Sequence, residues 1–474
     1  MKTAKAKKVF APIRVPAKAS FYYTVAALIG RLFGFLFTPI FTRSLTAAEY
    51  GIFPLYLGWL SLFSAASTLE IGTGAILGGF TKFKNEPENF MKSALFTLVS
   101  AFLTLSLPIL LFSSRVSALT GLDKTLLPIM AVHALSDAII SLYLTEARYR
   151  YSYYTVFLFN VIPSLLTPLT GLFLIRLSPS LSRPLGAMLI SVIALLPILI
   201  KWKPWSGIIR WEMVRFTVRT CLALFPASLG AILIAGADRL MIGYVLGKDA
   251  VAKYSVAHSL GLALTFFTVG LYGALKPWIM RKIDRGEKAA VAVVSYKLLL
   301  LGAAATLALL CVAPEILSIL APRTYSDALA AVYPLALAVL PMFLYNVFSS
   351  VLIFTGRGRR NSLFAVLAAG INIALNAILL PRFGITAAAI SFFTSYAVLA
   401  LITAFTAKEH CFFETRAWLF LLLTLLLGIM LYILKGALHI RYAVLILLIP
   451  SAVGSAFDIF SLIRERESSE KTCS

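Results

Sequence analysis

Charge is what this chain has least of. Only 13% of its 474 residues are Asp, Glu, Lys or Arg, roughly half the share that a soluble domain carries. So few charges cannot coat a water-facing surface, which excludes an ordinary soluble enzyme or binding module. Cysteine is scarce as well. Cys221, Cys311, Cys411 and Cys473 are scattered without a C-x-x-C, so neither a disulfide framework nor a zinc site is indicated. There is no G-x-x-x-x-G-K-[ST]. The nearest run, GYVLGKD at 243–249, lacks the Ser or Thr and follows an apolar span rather than a strand, which argues against an ATP-driven pump. Paired carboxylates at a defined site, a nucleophile elbow and metal-ligand spacing are all missing. The sequence therefore offers no catalytic residue, no metal site and no cofactor, and an enzyme is not expected.

What the chain has in abundance is apolar residues, at 60% of the total with a mean hydropathy of +0.90. Stretches long enough to cross a bilayer recur along nearly its whole length. The expected fold is an all-α integral membrane protein of about fourteen transmembrane helices. The spans lie near 20–42, 50–79, 93–114, 125–146, 153–175, 184–200, 220–247, 250–275, 290–312, 328–355, 362–380, 385–407, 417–434 and 442–463. The first run is too long for the apolar core of a signal peptide, and no small-residue cleavage motif follows it, so it reads as an uncleaved span.

The net charge of +23 gains its meaning from where the charges fall. With the N-terminus inside, the alternate links 1–19, 80–92, 147–152, 201–219, 276–297, 356–361, 408–416 and 464–474 hold 30 of the 43 Lys and Arg, and the opposite links hold 11. Cytoplasmic links collect basic residues. The bias supports the span count and puts both termini in the cytoplasm. The basic balance is then a topology signal and an attraction to anionic lipid, not a nucleic-acid footprint.

Two weak echoes suggest an internal repeat. LTAAEYGIFPLY from Leu45 aligns with LGKDAVAKYSVA from Leu246, and TEARYRYS (145–152) with TGRGRRNS (355–362). Two copies of six spans in the same order make a parallel repeat around an axis along the membrane normal. The expected organisation is a basic N-terminus (1–19), an N-lobe (20–200), a cytoplasmic linker (201–219), a C-lobe (220–407), a C-terminal helix pair (408–463) and a tail (464–474). Two six-helix lobes with a cavity between them suit alternating access.

Ionisable groups inside spans are costly and mark functional positions by default. Arg31, flanked by Gly30 and Gly34, could hold an anionic substrate group in a cavity, or form an interhelical ion pair with Glu70 or Asp137. Glu70 stands in STLEIGTGAILGG, whose glycines predict a bent or broken helix end, so it is either a cavity residue or a local cap. His133 and Asp137 share one helix face and could carry protons or a cation, or only fix packing. Asp238 and Arg239 are adjacent, so their side chains point about 100° apart and each needs its own partner. His258 reads as a satisfied core histidine, and Asp458 lies within reach of water. The tyrosines of YRYSYY (149–154) fit an interfacial aromatic belt better than a sugar-stacking platform.

Several of these segments resemble a known family. DRLMIGYVLGKDAVAKYSVAHSL, with Asp238, Arg239, Ile242, Gly243, Leu246, Gly247 and Tyr254 to Ala257, is similar to the signature of bacterial polysaccharide flippases of the Wzx/PST type in the MOP superfamily. FTPIFTRSLTAAEYGIFPLYLGWLSL, LEIGTGAI and TGRGRRNSLFAVLAAGINIALNAILLPRFGITAAAIS resemble further parts of it. The resemblance implies translocation of an undecaprenyl-diphosphate-linked oligosaccharide from the cytoplasmic to the periplasmic leaflet of the bacterial inner membrane, for cell-surface polysaccharide. It implies a lipid-linked glycan as substrate, membrane lipid around the lobes, and polysaccharide polymerase or glycosyltransferases as further partners. Arg31 and Arg239 would meet the diphosphate, with Glu70 and Asp137 as further cavity groups and His133, Asp137 or Asp238 coupling the cycle to an ion. The two extra C-terminal spans depart from the twelve-span pattern towards the layout of the lipid II flippases. The rival readings are a cation-coupled drug exporter of the MATE type and a membrane-embedded polysaccharide polymerase.

Overall fold

The computed structural model describes residues 14–74, 76–202, 207–265, 279–283, 285–408 and 415–433, with positions 441 and 444. No strand occurs among them. In hydrocarbon every backbone N–H and C=O must be paired within its own segment, and long apolar runs with few charges therefore become helices.

The helices in chain order are α1 (Arg14–Ser44), α2 (Ala47–Thr68), α3 (Ile71–Gly74), α4 (Ile76–Lys82), α5 (Pro87–Leu111), α6 (Ser113–Thr120), α7 (Leu126–Tyr149), α8 (Tyr153–Leu174), α9 (Pro179–Trp202), α10 (Trp211–Val245), α11 (Lys248–Gly261), α12 (Lys288–Leu320), α13 (Ala328–Phe354), α14 (Gly358–Ala407) and α15 (Thr415–Ile433). Nine helices among the described residues are long and apolar enough to cross a membrane. α14 carries two predicted spans in one run, with non-helical backbone at Gly384 (φ 61°, ψ −149°) between them. The predicted span 442–463, and Asp458 with it, lies outside the described residues apart from position 444.

α2 and α11 both follow tight links and start 201 residues apart, the offset expected from the first repeat echo. The second echo carries a different offset: α8 and α14 start 205 residues apart, whereas the sequence match gives 210. The matched Thr, Arg and Ser are thus not in equivalent structural positions there.

The glycine-rich end of the second span is broken, as expected, into α2, α3 and α4. The break falls at Leu69 and Glu70, which both take a left-handed backbone (φ 52° each). Non-glycine residues reach this region only against steric cost. The glycines that follow allow close packing instead. A Cβ on Gly72 would lie 2.9 Å from Ser141 Oγ, and one on Gly79 would lie 1.8 Å from the Phe90 ring.

The chain forms two compact units, one of residues 1–37 and 63–225, the other of residues 38–62 and 226–474. The first has a core of Ile71, Ile76, Phe80, Phe90, Leu98 and Leu142. Thr145 on α7 donates to the Gly72 carbonyl at 2.7 Å and ties α3 to α7. The second has its core on α12, α13 and α14, around Leu299, Leu340, Phe343, Val347 and Phe348. Here the N-terminal part of α2 packs on α10 and α11 at distances only small residues permit. A Cβ on Gly51 would lie 2.0 Å from the Lys248 carbonyl oxygen, one on Gly58 2.8 Å from Leu240, and one on Gly243 2.7 Å from Leu55. The outward faces are apolar: Leu28, Leu32, Leu36 and Ile40 form an exposed stripe along α1. Such a stripe is stable against lipid tails and not against water.

Candidate functional site

Asp238 and Arg239 leave α10 in different directions, as helical geometry requires. Asp238 is buried at 2% exposure. It accepts hydrogen bonds from Tyr254 Oη on α11 at 2.8 Å and from Asn376 Nδ2 on α14 at 2.6 Å. The same amide lies 3.2 Å from Asn372 Oδ1, one turn earlier on α14. A buried carboxylate needs such donors, because an unpaired one is very costly in a low-dielectric interior. The knot thus binds α10, α11 and α14 together. Asn376 Oδ1 has no hydrogen-bond partner among the described residues.

Arg239 has another environment. Its Nη2 lies 3.1 Å from His258 Nδ1, which gives His258 a polar partner, as expected of a core histidine. Arg239 also lines a cleft of about 480 Å³ between α2 and α10, walled by Leu57, Gly58, Ser61, Gly236 and Leu240. Among the described residues Arg239 is the one ionisable group in that lining. The cleft is wide enough for a ligand group and offers it one fixed positive charge on an apolar wall.

The other unit holds the remaining sequence candidates. His133 Nε2 lies 3.3 Å from Asp137 Oδ2 on the same face of α7. Ser191 on α9, which the sequence does not single out, donates to Asp137 Oδ1 at 2.5 Å. His133 is buried, whereas the Asp137 side chain is half exposed. Arg31 is exposed on α1, and beside it Gly30 faces Ser164 of α8. Glu70 is partly buried at the break after α2. The structure thus gathers Asp238 with Tyr254, Asn372 and Asn376, Arg239 with His258, and His133 with Asp137 and Ser191. Glu315 and Arg441 form a further pair that sequence reasoning misses, Arg441 being buried and reaching both carboxylate oxygens of Glu315. Among the described residues no group of three His, Cys, Asp or Glu side chains could hold a metal ion.

Nine apolar helices of membrane-crossing length among the described residues make this a multi-pass membrane protein. The model of the polysaccharide biosynthesis protein family matches residues 17–282, and the MatE family model matches 226–378. The chain belongs to the polysaccharide biosynthesis protein family. No curated protein matches it. Among solved structures, the lipid II flippase MurJ in an inward closed conformation is similar, with a TM-score of 0.66 at 15% identity, over 93% of this chain and 99% of that one. A multidrug resistance MATE transporter of the MOP superfamily in an inward-facing conformation gives 0.62 at 14% identity, over 81% and 94%. A MOP superfamily transporter from Pyrococcus furiosus, described as having a binding pocket of reverse polarity, gives 0.60 at 13%, over 86% and 98%. These likenesses support the fold expected from the sequence.

Proposed function

We propose that the protein flips an undecaprenyl-diphosphate-linked oligosaccharide from the cytoplasmic to the periplasmic leaflet of the bacterial inner membrane by alternating access, for cell-surface polysaccharide. The observation that carries this reading is Arg239 on the wall of the α2–α10 cleft. A diphosphate needs a cation that stays charged and offers a donor fork, which arginine does. The apolar wall suits the neighbouring polyprenyl chain. Arg31 serves as a second cation for the headgroup, and Glu70 and Asp137 as polar cavity groups for the sugars. Both termini lie in the cytoplasm, and the enzymes that build or polymerise the glycan are the natural partners.

Two acidic groups can couple the cycle to an ion. Asp137, half exposed and bonded to His133 and Ser191, can exchange a proton with its surroundings. Asp238, buried and held by Tyr254 and Asn376, is the other candidate for coupling.

The MatE match favours a second reading, a cation-coupled drug exporter. Such a protein needs acidic and aromatic groups where its cationic substrate sits. Binding to the purified protein separates the two. An undecaprenyl-diphosphate sugar should bind and weaken on Arg239→Gln, whereas tetraphenylphosphonium should not bind. Saturable binding of the organic cation with none of the diphosphate lipid would reverse the assignment.

A further inference from the structure

A second basic feature stands apart from the Arg239 cleft, at the opposite end of α10. The first three turns of α10 carry Trp211, Val214, Arg215, Val218, Arg219 and Leu222 along one face, and these residues line an open groove of about 560 Å³. The spacing puts Arg215 and Arg219 one turn apart on the same face, within roughly 6 Å of each other. Two like charges so placed repel and weaken an isolated helix.

The neighbouring acids do not relieve them. Glu212 lies 3.7 Å from Lys82, and Glu86 lies 3.0 Å from Arg210. Arg210 is further fixed by its backbone N–H, which donates to Ser93 Oγ at 3.0 Å, and Ile208 N–H donates to Asn89 Oδ1 at 2.8 Å. This end of the helix is thus clamped onto α5 with its own charges matched. Arg215 and Arg219 are both exposed, and neither has an ion-pair partner among the described residues.

We infer that Arg215 and Arg219 form the docking site where the diphosphate of the lipid-linked substrate is first captured from its leaflet, before it reaches the Arg239 cleft. The inference rests on the proposed function. Charge decides between the available anions. A diphosphate brings about two negative charges to two guanidinium groups, whereas a phosphodiester lipid such as phosphatidylglycerol brings one. The rest of the stripe fits the same ligand. Trp211 is 73% exposed at the start of the helix, where an interfacial aromatic anchors. Leu222, 55% exposed, continues the face towards the apolar part of α10, as a polyprenyl chain beside the diphosphate requires.

The test uses the full-length protein in phosphatidylcholine nanodiscs, with undecaprenyl diphosphate and phosphatidylglycerol as separate probes. Arg215→Gln/Arg219→Gln should weaken undecaprenyl diphosphate binding roughly tenfold or more, and Arg215→Lys/Arg219→Lys should recover part of it. Phosphatidylglycerol should bind weakly to all three proteins. An unchanged thermal midpoint in the double Gln variant shows that a loss is not misfolding. Equal diphosphate binding by wild type and the double Gln variant overturns the docking site and leaves the functional reading standing. Equal loss of both probes overturns it in favour of a general acidic-lipid contact. A wild-type protein that binds no diphosphate overturns the functional reading and the docking site together.

Discussion

Alanine at position 51 should be far worse than its size suggests. Inside a helix, Gly→Ala ordinarily stabilises by about 0.5–1 kcal/mol, because it removes backbone freedom from the unfolded chain. Gly370 on α14 is a helical glycine where an added Cβ would meet nothing within 4 Å, so Gly370→Ala should show this gain. At Gly51 the added carbon would lie 2.0 Å from the Lys248 carbonyl oxygen and 3.2 Å from the Ala252 nitrogen. The nearest atoms are backbone, so no side chain can rotate away and α11 must shift by roughly 1 Å or more to reach ordinary contact distance. Overpacking of this kind costs about 1–3 kcal/mol. The helical gain applies at both positions, so the two variants should differ by the overpacking cost alone, roughly 1–3 kcal/mol, with Gly51→Ala the less stable. Thermal unfolding in detergent, followed by intrinsic fluorescence, reads the difference as a lower midpoint for Gly51→Ala than for Gly370→Ala. Equal midpoints for the two variants would refute the close α2–α11 contact.

Asp238→Asn and Arg239→Lys should separate the two roles of the adjacent pair. Asp238→Asn weakens a knot that joins three helices and should lower protein level and flipping together, while Arg239→Lys should keep protein level and lower flipping alone, both read by immunoblot and transport in the same cells. Tyr254→Phe removes one of the two donors to Asp238 and should destabilise by about 1–3 kcal/mol in a detergent melt; a midpoint equal to wild type contradicts the knot. Ser191→Ala should cost only about 0.5–1.5 kcal/mol, because Asp137 is half exposed and water can replace the lost hydrogen bond, yet it should change the pH dependence of transport if Asp137 carries the coupling proton. An unchanged pH profile removes Asp137 from that role.

The membrane class and helix positions are legible in the sequence because burial in lipid imposes length and apolarity on each span, a signal summed over about twenty residues. The start of α11 is readable from the start of α2 because the matched segments open both helices at the same 201-residue offset. What the sequence does not show is which residues meet across helices. Asn372 and Asn376 are visible as polar positions, but the contact of Asn376 with Asp238 joins residues 138 apart in the chain. Ser191 carries no signal, since a lone serine in an apolar helix usually bonds its own backbone. Glycines in a run such as the one after Glu70 predict a break, whereas Gly72 and Gly79 serve close packing and the left-handed turn falls on Leu69 and Glu70. Periodicity cannot distinguish those two uses of glycine.

The central claim is that a lipid-linked diphosphate sugar crosses the bilayer through this protein with arginine against its phosphates. Proteoliposomes holding a tritiated undecaprenyl-diphosphate oligosaccharide, probed by a membrane-impermeant glycosidase, measure it directly. The wild-type protein should expose inner-leaflet glycan to the enzyme at a rate above protein-free vesicles, and Arg31→Gln and Arg239→Gln should each abolish the excess. Equal rates with wild type, with both variants and without protein would contradict the account.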